Sequence, residues 1–187
     1  MTTQSPSGLE HKFCRFDGEV ALEDGCRIEG YASLFGRTDQ GGDVVAAGAY
    51  TRSLERLGKA GRAVKLLWQH DPSQPIGIWD EVHEDATGLF VKGRLLTDVT
   101  RGREAASLIE AGAIDGLSIG YRTVAATKDA EGRRVLTELE LWEVSLVTFP
   151  MLPEARIGAK AEDRNDTLCR ELAEIFGAAR QTLAAAD

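Results

Sequence analysis

The sequence predicts a mainly β protein with flanking helices: a closed, mostly antiparallel barrel followed by a C-terminal amphipathic helix. Three observations carry that expectation. Roughly seven strand-like runs are interrupted by two helical stretches. Twenty glycines and an aromatic content of only 6% point to many turns and modest side-chain bulk. Hairpin turns recur along the chain, which favours a closed antiparallel barrel over a doubly wound parallel sheet. At 187 residues with 43% apolar content, the chain suffices for one domain with a real core.

Residues 1–10 are polar and read as a loose tail, and the domain is expected over 11–157. "FCRFDGEVAL" and "CRIEGYASL" read as two strands joined at Glu23-Asp24-Gly25. "GRTDQGGD" (36–43) is a Gly-rich loop without the GK[ST] ending of a phosphate-binding loop. A short helix follows, with Tyr50, Leu54 and Leu57 at helical spacing and Gly58 as its stop. "AVKLLWQHDP" is a strand ended by Pro72, because proline cannot donate to a ladder. "IGIWDEVHED" and "GLFVKGRLL" form a hairpin around Ala86, Thr87 and Gly88. A second helix spans 100–111, with Thr100 as N-cap and Gly112 past its end. Then come the strand "IDGLSIGY", a turn at "KDAEG" and the long strand "RRVLTELELWEVSLVTF", stopped by Pro150. Residues 158–166 read as a linker. In 167–187, Leu168, Leu172, Ile175, Phe176, Ala179 and Leu183 make the apolar stripe of an amphipathic helix.

The bulk numbers exclude some classes. A net charge of −8 argues against a general nucleic-acid binder, which needs clustered Lys and Arg to neutralise phosphates. Cys14, Cys26 and Cys169 are an odd count without CxxC spacing, so neither a disulfide framework nor a zinc site is expected and a reducing interior is. "MTTQSPSGLEHKF" lacks the apolar segment of a signal peptide, and no apolar run approaches the ~20 residues of a membrane span. The expectation is a soluble intracellular protein. His70-Asp71 and His83-Glu84-Asp85 match no helical metal-ligand spacing, and neither metal nor cofactor is expected. Trp68, Trp79 and Trp142 read as core residues.

Three polar residues break the local pattern. His70 closes the apolar face Val64, Leu66, Trp68 at a strand's end. Glu143 shares a face with Leu139, Leu141, Ser145, Val147 and Phe149, a costly place for a carboxylate unless it is paired; a bulge or an ion pair to an arginine would account for it as well as a site would. Ser118 is flanked on its face by Gly116 and Gly120, either for close backbone packing or to leave room for a peptide. Together they suit nucleophilic catalysis. A serine hydroxyl needs a base, a neutral histidine supplies one, and a carboxylate orients the imidazole and stabilises its cation.

In order along the chain, "EGYASLFGRTDQGGDVVAAGAYTRSL", "KLLWQHDPSQPIGIW", "LLTDVTRGREAASLIEAGAIDGLSIGY" and "ELELWEVSLVTFPMLPEARI" give the sequence its family likeness. Over about two-thirds of its length it resembles the tailed-phage prohead (capsid maturation) serine proteases, relatives of the herpesvirus assemblins. The resemblance implies a herpesvirus-protease-like barrel. It also implies a serine endopeptidase acting in the host cell cytoplasm, inside the assembling procapsid. The implied substrates are scaffolding protein or the scaffold-like N-terminal segment of the major capsid protein precursor, and the protease itself. Ser118 takes the nucleophile position and His70 the base. Assemblins use a second histidine as the third member and phage relatives an acidic residue. No histidine follows Ser118 here, so Glu143 is the choice and Glu140 the reserve. Arg156 is a loose candidate for the arginine-containing loop that assists the oxyanion, and a homodimer is implied by analogy. A non-enzymatic assembly factor on the same barrel is the competing expectation. An esterase-like hydrolase fits less well, since no GxSxG elbow occurs.

Overall fold

A computed structural model describes residues 10–14, 26–150, 152, 154, 155 and 157. The elements run β1 (Glu10–Cys14), β2 (Arg27–Leu34), β3 (Asp43–Val45), α1 (Thr51–Lys59), β4 (Lys65–Trp68), β5 (Asp71–Glu84), β6 (Gly88–Leu95), α2 (Thr100–Glu110), β7 (Gly116–Lys128) and β8 (Arg134–Val147). The strands form one curled eight-stranded sheet in the order β1-β7-β8-β4-β5-β6-β2, with β3 paired to β8 off that path. Most neighbours are antiparallel, but β3 and β4 both run parallel to β8. Among the described residues the ladder ends at β1 and β2, so the architecture is a mainly β curled sheet with two helices, and ring closure remains an expectation.

Apolar alternation builds the core. Ile28 and Ala32 of β2, Leu66 of β4, Leu89 and Val91 of β6, Leu117, Ile119 and Tyr121 of β7, and Leu136 and Leu139 of β8 are all buried within it. In α1, Leu54 and Leu57 lie against that core, and Ser53 Oγ accepts the Leu141 N–H at 2.9 Å. The turn at 128–132 forms as its sequence suggests: Asp129 accepts the amides of Glu131 and Arg133, and Gly132 takes φ +79°.

Several elements depart from the sequence expectation. Glu10, assigned there to the tail, belongs to β1. Strand β3 was not foreseen, because three residues carry no period. Pro72 does not end β4; the chain turns at Gln69–His70 and Pro72 lies in β5. The N-cap of α2 is Val99 rather than Thr100, without a side-chain cap. Trp79 is buried, whereas Trp142 is 48% exposed and not a core residue. The expected linker and C-terminal helix (158–187) lie outside the described residues, as do 15–25. No helix among the described residues is long and apolar enough to cross a membrane.

Candidate active site

Strand β7 sets the serine by simple alternation. Leu117, Ile119 and Tyr121 point into the core, which turns Gly116, Ser118 and Gly120 to the opposite face. Across the ladder that face continues on β8, where Ser118 opposes Ser145 and Gly120 opposes Glu143. The two glycines do not leave the gap that the sequence suggested. A Cβ at Gly120 would lie 2.2 Å from Glu143 Oε1, and one at Gly116 would lie 2.7 Å from the Val147 carbonyl and 2.9 Å from Pro150 Cδ. Side chains and backbone of the molecule itself occupy that space.

Glu143 reaches this face through a bulge. Gly120 pairs with Glu143, but the next residue, Tyr121, pairs with Leu141, so Trp142 is an extra residue in β8. The extra residue switches parity. Before it, Leu139 and Leu141 are core residues; after it, Val144 and Leu146 are, while Glu143, Ser145 and Val147 stand on the serine face. The strict alternation that grouped Glu143 with Leu139 and Leu141 is therefore corrected.

His70 arrives by a second break in alternation. Leu66 and Trp68 of β4 face the core, and a continued strand would send residue 70 after them. Instead Gln69 and His70 take φ +50° and +62°, left-handed values that cost about 1–3 kcal/mol each for residues other than glycine. Bonds to β8 and to the residue after it hold them there: Gln69 N–H donates to the Leu146 carbonyl at 3.0 Å, Gln69 Nε2 to Thr148 Oγ1 at 2.7 Å, and His70 N–H to Ser145 Oγ at 3.3 Å. Asp71 fixes the other side of the turn. The Ser73 hydroxyl, the Ser73 amide and Gln74 Nε2 all donate to its carboxylate and hold its pKa below the usual value.

The result is a contiguous chain of contacts. His70 Nε2 lies 2.6 Å from Ser118 Oγ, and His70 Nδ1 lies 2.5 Å from Glu143 Oε1. The carboxylate can only accept, so the ring proton is assigned to Nδ1, which leaves Nε2 to accept from the serine. Ser145 Oγ donates to Glu143 Oε2, so both carboxylate oxygens are hydrogen-bonded. All of this is secluded: Ser118 and Ser145 are fully buried, and the His70 and Glu143 side chains are 9% and 6% exposed. Such an arrangement can activate a hydroxyl for attack and stabilise the resulting imidazolium.

Glu140, the reserve carboxylate, is elsewhere, ion-paired with Arg122 at 2.5 Å. Arg156 lies outside the described residues. His83 pairs with Glu81 and Asp85 with Tyr31, away from this cluster. Ser145, a small polar residue in a core-like strand two positions after Glu143, is visible in the sequence only as a face-mate of Glu143, because its partners are set by pairing with β7 and β4.

The profile of the caudovirus prohead serine proteases matches residues 17–169. The chain is 32% identical over 148 residues to the prohead protease of Enterobacteria phage HK97, covering 75% of this chain and 63% of that protein's length. The bacteriophage T4 capsid assembly protease has a similar fold, with a TM-score of 0.60 at 18% identity over 76% of this chain and 98% of the T4 chain. The varicella-zoster virus protease aligns with a TM-score of 0.37 at 12% identity, over 68% of this chain and 60% of that one.

Proposed function

Because the chain belongs to the caudovirus prohead serine protease family, we propose that it is the serine endopeptidase of procapsid maturation and works through a Ser118-His70-Glu143 triad. The observation that carries this reading is the pair of contacts from one imidazole, 2.6 Å to Ser118 Oγ and 2.5 Å to Glu143 Oε1. Ser118 Oγ attacks the scissile carbonyl while His70 Nε2 takes its proton. The imidazolium, held by Glu143, then protonates the departing amine and allows hydrolysis of the acyl-enzyme. Backbone N–H groups and Arg156 are the candidate donors to the oxyanion.

In this reading the substrates are scaffolding protein or the scaffold-like N-terminal segment of the major capsid protein precursor, and the protease itself. It acts in the host cell cytoplasm, within the assembling procapsid and as a homodimer, with no membrane or nucleic acid involved. The curled sheet completes to a closed barrel. The assembly-factor alternative expects no serine-to-imidazole contact, and the 2.6 Å distance weighs against it.

Incubation with the co-encoded capsid precursor, read by mass spectrometry, tests the assignment. Ser118→Ala should fold and lose cleavage by about 10⁶-fold, as removal of a triad nucleophile does. Glu143→Gln should cost less than either Ser118→Ala or His70→Ala. Wild-type rates from Ser118→Ala would sink the proposal, and a larger loss from Glu140→Gln than from Glu143→Gln would name the wrong carboxylate.

A further inference from the structure

We propose that Ser145 is a positioning residue of this site, a fourth member that aligns Glu143 and the His70 backbone at once. The inference rests on the triad reading. Ser145 sits at the junction of three strands, opposite Ser118 on β7 and Leu67 on β4. It is fully buried on the serine face, where a strand interior would ordinarily carry an apolar residue.

Hydrogen-bond directions around it are forced. His70 N–H can only donate, so at 3.3 Å Ser145 Oγ is its acceptor. The Ser145 proton therefore goes elsewhere, and it is donated to Glu143 Oε2. The hydroxyl thereby pins the carboxylate by one oxygen while the other, Oε1, faces His70 Nδ1. It also fixes the residue whose left-handed backbone, φ +62°, swings the imidazole onto this face. One side chain thus sets both ends of the Glu143–His70 bond. Ser145 is not a second nucleophile, because Nε2, the basic nitrogen, faces Ser118.

Removing the hydroxyl takes one hydrogen bond from the His70 N–H and one from Glu143 Oε2, and misplacement of such groups costs about 100-fold in rate. Ser145→Ala should lower kcat by about 10- to 100-fold with little change in KM, since substrate binding is untouched. The readout that a merely structural role would not move is the downfield proton resonance of His70 Nδ1–H in a histidine-labelled sample. It should shift upfield or broaden in Ser145→Ala while the thermal transition persists. Ser145→Cys, similar in volume but a weak donor, gives the same reading should the alanine variant not fold. An unaltered proton resonance, or an unaltered kcat, overturns the proposal. The resonance is read without turnover, so this test stays separate from that of the triad: active Ser118→Ala would refute the nucleophile, whatever Ser145 does to the proton.

Discussion

Gly120 is the residue where packing and chemistry meet most closely. Its missing side chain is the space that Glu143 occupies, with Oε1 2.2 Å and Cδ 2.8 Å from where a Cβ would stand. The obstacle is the Glu143 side chain from Cγ outward and not backbone, so Gly120→Ala can be relieved only by swinging that whole side chain aside. That relief would break the 2.5 Å contact to His70 Nδ1. Gly120→Ala should therefore remain folded, with a modest change in melting temperature, and lose about 100-fold or more in kcat. A double-mutant cycle checks the cause. In a Glu143→Ala background the truncated side chain leaves room, and the additional loss from Gly120→Ala should nearly vanish. An undiminished loss would mean that the alanine acts through the strand and not through the carboxylate.

Among the elements, the half of β8 that carries Glu143 and Ser145 owes its facing to the register shift nearest the site, one of three along the β7–β8 ladder. Trp142 is the extra member of the bulge, half-exposed, and its side chain contributes nothing to the serine face. Its backbone is what matters, because it puts Glu143 and Ser145 out of phase with Leu139 and Leu141. Trp142→Ala should thus cleave at a rate close to wild type. Deleting Trp142 should reduce cleavage to the level of Glu143→Ala, because one half of β8 must then present the wrong face. Activity in a folded deletion variant would refute this account. The same feature explains which parts of the protein could be read from its sequence. Ser118, α1, the β5–β6 hairpin and the turn at 128–132 follow from periodicity and local turn chemistry, which are written in neighbouring residues. The three site residues were legible as polar residues in apolar runs. The faces of His70 and Glu143 were not, because the parity changes at Gln69–His70 and at Trp142 are imposed by pairing with strands distant in sequence. Neither position carries a glycine or proline to mark it.

At the scale of the whole molecule, the question is what joins β2, at one end of the sheet, to β7 beside the site. Leu152, Ala155 and Ile157 do so. Ile157 bridges Gly30 of β2 and donates its N–H to the Asp115 carbonyl at 2.8 Å, while the Ala155 carbonyl accepts from Leu117 N–H at 3.1 Å, one residue from Ser118. Leu152, Ala155 and Ile157 are buried; Leu152 and Ala155 pack with Leu34, and Ile157 enters the main core. The seam is therefore both hydrogen-bonded and apolar, and it buttresses β7 on the side away from β8. Two truncations measure it directly: a chain ending at Ile157 keeps the seam and a chain ending at Pro150 lacks it. Losing a buried Leu or Ile side chain costs about 2–5 kcal/mol, and the shorter chain loses one of each. In a domain of this size 1 kcal/mol shifts the melting temperature by about 2–4 °C, so the shorter chain should melt at least about 8 °C below the longer one. Cleavage should fall with it, since the strand carrying Ser118 loses the carbonyl that accepts the Leu117 N–H. Equal melting temperatures for the two chains would mean that the sheet holds its curl without this segment, and the seam would then have no part in positioning the site.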